Sequence, residues 1–220
     1  MMKGCNISAG KLLVLFGASL LATSVQAHSP EHHIHEQAEP TQAADAMVHF
    51  AEVSLLDQTG HSVNLKEDLV ADKLVVMSFI YTTCTTVCPV VSGLMRQVQS
   101  QLGERVGDEV QLVSISVDPL RDTPSRLLQY SENFNAGTGW SWLTGTTQSI
   151  DQTLKGLGAW AADYEAHPPL IMVGDGRSDR WARFYGFTSP DTLVAKVDEL
   201  SRARQSLARN HSAMHEGTQP

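Results

Sequence analysis

Cys84 and Cys88, in the stretch YTTCTTVCPVVSGLM (81–95), are the residues of this chain best suited to chemistry. A pair spaced CxxxC can act as a structural staple, a redox couple or two arms of a metal site. On a regular helix, residues four apart hold their Cβ atoms about 5–6 Å from one another. A relaxed disulfide wants roughly 3.5–4.5 Å. A permanent bridge would therefore need Cys84 to lie in a loop, or else the bond would be strained and easily reduced. Thiolate–metal bonds of about 2.3 Å, with zinc as the guide, tolerate a wider spacing. Pro89, directly after the second cysteine, fits the first turn of a helix, where its missing N–H costs nothing. The partial positive charge of a helix N-terminus at that place favours the thiolate, which both metal binding and thiol exchange require.

The elements that must position this pair can be read on either side of it. KLVVMSFIY (73–81) is a continuous run of β-formers, typical of a strand buried on both faces, and it leads directly into the cysteines. PVVSGLMRQVQSQL (89–102) has helical apolar spacing, and EVQLVSISVD (109–118) is a second buried strand. DTPSRLLQYSENF (122–134) predicts a helix with Asp122 in the capping region, and TTQSIDQTLKGLGAW (146–160) another. PLIMVGDGRSDRWARFYGF (169–187) predicts strand, tight turn and strand. A closing amphipathic helix over 189–210 has Ser189 as its cap and Pro190 at its first position. Ahead of all these, VHFAEVSLLDQTGHSVNL alternates around DQTG as a β-hairpin does. Strands alternating with helices imply an α/β sheet covered on its faces. A cysteine pair between the first central strand and a helix is where a thioredoxin-like fold places its chemistry.

The start of the chain bears on where it works. MMKGCNISAGK carries Lys3 and Lys11 and no acid, LLVLFGASLLATSV is a short apolar run, and VQA offers small residues. Residues 1–27 are thus expected to be a secretory signal peptide cleaved after Ala27, taking Cys5 with it. The alternative, a retained membrane tether, needs about 20 apolar residues, more than this run supplies. Export would permit disulfides. Residues 28–46 are polar and carry His28, His32, His33 and His35, so they are either a metal-gathering arm or a solvated linker. The folded domain is expected over 47–207 and a disordered tail over 208–220. The net charge of −8 excludes nucleic acid as a natural partner, because phosphate binding needs a basic surface. If the cysteines hold a metal, a third ligand is wanted. His49 and His61 fall in the hairpin, where they are most simply surface residues, whereas His167 precedes the strand-forming PPLIMV.

Taken together, FIYTTCTTVCP, VSISVDPLRDTP (113–124), an isolated histidine ahead of a strand, and GDGR resemble the Sco/SenC family of exported copper proteins over roughly residues 50–205. The chain departs from the usual family pattern in having Thr85 after the first cysteine and AHPP around the histidine. The resemblance implies a thioredoxin-like α/β fold with a central mixed sheet flanked by helices and an N-terminal hairpin. It also implies copper, as Cu(I) or Cu(II), bound by Cys84, Cys88 and His167, with Asp118 as a carboxylate behind the site. The implied partners are the copper-centre subunit of cytochrome c oxidase, or another copper protein, and a copper-donor chaperone. A periplasmic carrier of this kind transfers metal by ligand exchange, needs no general acid or base, and is not expected to be an enzyme. Two other readings stay open: a thiol–disulfide reductase, in which Cys84 and Cys88 would be catalytic, and a copper buffer or sensor built on the histidine-rich arm.

Overall fold

The structure, a computed structural model, describes residues 44–166 and 168–216, with side chains for 44–165 and 168–210. The expected signal peptide and most of the histidine-rich arm lie outside the described residues, and so does His167. In chain order the strands are β1 (Ala44–Ala46), β2 (Ser54–Leu56), β3 (Ser62–Asn64), β4 (Leu74–Ile80), β5 (Val110–Ser116), β6 (Trp140–Leu143), β7 (Leu170–Asp175) and β8 (Arg180–Tyr185). The helices are α1 (Val87–Leu102), α2 (Pro124–Glu132), α3 (Thr147–Leu157) and α4 (Pro190–Glu216).

The main sheet runs in the order β1-β8-β7-β4-β5-β6, and β2 and β3 form the expected hairpin beside it. The β4–β5 and β5–β6 pairs are parallel, with Leu74 opposite Val110, whereas β7 joins β4 antiparallel. The sheet is therefore mixed, as expected. Every residue of β4 and β5 is buried, in keeping with their unbroken apolar sequence. The pleat sorts β4 between two cores. Leu74, Val76 and Ile80 share a cluster with Val91, Met95 and Val98 of α1, with Leu193 and Val197 of α4, and with both cysteines. Val75, Met77 and Phe79 face the other way, against Leu55 and Val63 of the hairpin and Ile150 and Leu154 of α3. Ser78 is the polar exception in β4, and it is satisfied. Its hydroxyl pairs with that of Ser114 at 2.9 Å, and the Ser114 hydroxyl accepts the Trp140 indole N–H at 3.0 Å.

Three departures from the sequence reading have local causes. The strand at Trp140–Leu143 was not expected; four residues carry little periodicity, and its place is set by pairing with β5. The sheet begins at Ala44 rather than Met47, because Ala44–Ala46 pair with Arg183, Ala182 and Trp181 at the edge. The last helix runs to Glu216, beyond the expected end at 210 and into the stretch expected to be a tail. No Gly or Pro interrupts it before Gly217.

One buried ion pair fastens α4 to the sheet. Asp175, at the end of β7, accepts from Arg204 Nε at 2.9 Å and also from Arg204 Nη2. It takes further bonds from Ser178 Oγ and the Arg177 N–H, each at 2.8 Å. Arg204 in turn donates to the Lys73 carbonyl at 2.8 Å. The turn beyond Asp175 needs glycine, since a Cβ on Gly176 would lie 1.9 Å from the Val70 carbonyl oxygen. Burial alone would raise the Asp175 pKa, but the bonds from Arg204, Ser178 and Arg177 outweigh it and hold the carboxyl below its ordinary range. Asp175→Ala, which strands the Arg204 guanidinium, is expected to lower stability by about 3 kcal/mol, read as a lower urea midpoint. A depressed carboxylate contributes fully above its unfolded pKa, and the contribution fades as pH falls through the folded value. The gap between wild type and Asp175→Ala should thus be wide at neutral pH and shrink as pH falls below the ordinary carboxylate range.

Candidate metal and thiol site

The cysteines lie where β4 gives way to α1. After Ile80 the chain turns, and the Cys84 N–H donates to the Tyr81 carbonyl at 3.2 Å. Cys84 is therefore in the loop, while Cys88 occupies the second position of α1. Thr86, the residue at the helix cap, makes no side-chain capping bond. The sulfur of Cys84 takes over that task, accepting the Cys88 N–H at 3.3 Å. A helix start has orphan N–H groups that call for an acceptor, and here the acceptor is a sulfur. Both cysteines are free thiols. Cys84 is 7 % exposed and Cys88 1 %.

The two thiols are driven apart electrostatically. Burial raises the Cys84 pKa, but hydrogen bonds from the N–H and thiol of Cys88, the Thr86 N–H and the Tyr81 side chain outweigh it, bringing it down from 9.0 to about 7. Cys88 is pushed up to about 12, first by its deeper burial and then by the sulfur of Cys84 and the charge of Asp122. Tyr130, Phe134 and Trp142 pack on the same cluster as Cys88, with the Tyr130 and Trp142 rings 5.7 Å apart.

Asp122 organises the loop, as its place ahead of the helix suggests, through bonds to Thr82 and Ser116. It is wholly buried. It accepts the Thr82 hydroxyl at 2.5 Å, the Thr82 N–H at 3.1 Å and the Ser116 hydroxyl at 2.6 Å, tying the cysteine loop to the end of β5. The α2 cap, expected at Asp122, is instead Thr123, whose hydroxyl accepts the Arg126 N–H at 3.4 Å. Asp118, expected behind the site, is 3 % exposed and gives its carboxylate to Arg121 Nη1 at 2.9 Å. The same nitrogen donates to the Tyr164 hydroxyl at 2.6 Å, and the Tyr164 ring meets Tyr81 edge-on at 5.2 Å. Neither tyrosine stood out in the sequence, since an aromatic residue at a strand end or in a loop carries no functional signal of its own.

His49 and His61 are exposed, as expected. Among the described residues no group of three His, Cys, Asp or Glu side chains could hold a metal ion. Nor, among the described residues, is any helix long and apolar enough to cross a membrane.

Known proteins resemble this chain in sequence and fold. The SCO1/SenC family model matches residues 38–214. The SCO1 protein homolog of Bacillus subtilis is 33% identical over 95 residues, which cover 42% of this chain and 47% of that protein. The chain spans about half the length of the curated relatives it first matches. A solved structure of BsSco, described as a member of the Sco family of cytochrome c oxidase assembly proteins with a disulfide switch, matches with a TM-score of 0.60 at 24% identity, covering 73% of this chain and 98% of that one. Bradyrhizobium japonicum ScoI, solved with copper bound, matches with a TM-score of 0.55 at 26% identity, covering 66% of this chain and 95% of that one.

Two measurements check the geometry. The thiolate is the nucleophile, so iodoacetamide labelling of Cys84 in the reduced protein should rise through a midpoint of about pH 7 while Cys88 stays protected. Equal labelling of both at neutral pH would contradict the split. Asp122→Ala, which leaves three donors without their acceptor, should lower the urea unfolding free energy by about 2 kcal/mol.

Proposed function

The chain belongs to the SCO1/SenC family, and on that premise we propose that it is an exported copper carrier serving the binuclear copper centre of a cytochrome c oxidase. Copper is the cargo, held by Cys84, Cys88 and His167. Soft thiolates select copper(I), and an imidazole supports both oxidation states. The observation that carries the reading is the unequal thiol pair at the start of α1. Cys84 ionises readily and keeps some exposure, whereas Cys88 is deep and reluctant. An incoming client thiolate would reach the metal from the Cys84 side and displace that sulfur first. Cys88 would leave second, through a shared three-coordinate copper. The copper-bound Bradyrhizobium relative supports the cargo, and the oxidase-assembly description of BsSco supports the client. The leader over 1–27 supports a periplasmic site of action, with an upstream copper donor supplying the metal.

The same inequality favours a second reading, a thiol–disulfide reductase. The Cys84 thiolate would attack a client disulfide, releasing one client thiolate and forming a mixed disulfide. Cys88, giving up its proton, would then displace the second client sulfur. The client disulfide is reduced to two thiols, and Cys84–Cys88 is oxidised to a disulfide.

Anaerobic titration of the reduced chain from His28 onward with copper(I), repeated after alkylation, separates the two. The carrier should bind one copper per chain and lose it when the thiols are blocked. Removing an outer partner of a metal ligand costs roughly 10–100-fold in affinity. His167→Ala should cost at least that for copper(II) while sparing disulfide exchange. Stoichiometric dithiol exchange without copper binding would leave only the reductase.

A further inference from the structure

Between the turn after β5 and the cysteine strand lies a side-chain chain that the copper-carrier reading does not use. Arg121 Nη1 donates to the buried Asp118 carboxylate at 2.9 Å and to the Tyr164 hydroxyl at 2.6 Å. Asp118 thus fixes the guanidinium, and the guanidinium fixes Tyr164. The Tyr164 ring stands edge-on to Tyr81 at 5.2 Å with an interplanar angle of 85°, a favoured aromatic geometry. Tyr81 precedes Cys84 by three residues and bonds its sulfur. Tyr164 opens the short helical turn 164–166, which immediately precedes residue 167 in the chain. The turn 164–166 is therefore fastened on one side by a charge-assisted hydrogen bond and on the other by a ring against Tyr81, at the start of the cysteine loop.

We propose that Tyr164, held by Arg121 and seated on Tyr81, is a positioning residue that sets how the segment leading to His167 meets the Cys84–Cys88 loop. The inference rests on the reading of His167 as the third copper ligand. Its physical content is preorganisation: an imidazole on an untethered segment must be ordered when the metal arrives, and that ordering entropy is subtracted from affinity. The tether orders the segment beforehand. Asp118 then acts on the site at two removes, through Arg121 and Tyr164.

Copper(II) affinity and the nitrogen hyperfine pattern of its electron paramagnetic resonance spectrum test this in Tyr164→Phe, Arg121→Gln, His167→Ala and the Tyr164→Phe/His167→Ala pair. Tyr164→Phe keeps the ring on Tyr81 and removes only the hydroxyl, so the fold is preserved, which the apo-protein melting temperature checks. The expected result is roughly a tenfold loss of affinity in Tyr164→Phe and in Arg121→Gln, the scale of one charge-assisted hydrogen bond, with an altered nitrogen pattern. In the His167→Ala background the added loss should vanish. If His167→Ala costs affinity while Tyr164→Phe is silent, or costs the same in both backgrounds, the positioning role is overturned and the ligand assignment stands. If His167→Ala itself leaves affinity and spectrum unchanged, the ligand assignment falls and the positioning role with it.

Discussion

The hydrogen bond from the Cys88 N–H to the Cys84 sulfur is the contact on which the rest of this structure turns. It exists because α1 begins without a side-chain cap, so an orphan donor points at the nearest acceptor. One interaction therefore completes the helix and favours the anionic form of the sulfur. Removing charge from that sulfur weakens the start of the helix, and fraying the helix raises the cost of ionising the sulfur. Reactivity and local folding are coupled through a single donor.

That coupling requires the loop between Tyr81 and Thr86 to keep its shape, and β4 alone cannot ensure it. The supports come from distant sequence: Asp122 and Ser116 from the end of β5, and Tyr164 from the segment ahead of β7. The parallel pairing of β4 with β5 brings them together, because both strands end at the same edge of the sheet. The apolar runs that bury the two central strands thus act on the site indirectly, by fixing which turns become neighbours.

Much of this was legible in the residues. The unbroken apolar runs announced β4 and β5, the proline after Cys88 announced the helix, and GDGR announced the turn between β7 and β8. Whatever depended on pairing rather than local pattern was not legible. Trp140–Leu143 is a strand because β5 offers an open edge, and Ala44–Ala46 is one because β8 does. In the site, Asp118 and Asp122 are chemically alike and four residues apart. Only the path of the turn decides that one faces Arg121 and the other folds back on Thr82. Spacing records that such a turn exists; it does not record which carboxylate points inward.

The three-residue strand at the border of the sheet has a consequence of its own. By occupying the outer hydrogen-bonding row of β8, Ala44–Ala46 conceal a template on which a second molecule could add a strand. The opposite border, β6, is only four residues long, and just beyond it Thr144 is bridged to Leu56. A version of the chain trimmed to begin at Met47 would keep its sulfur chemistry but bare the β8 backbone, inviting edge-to-edge self-association. Ala44–Ala46, the outermost strand of the sheet, thus cover part of the β8 edge.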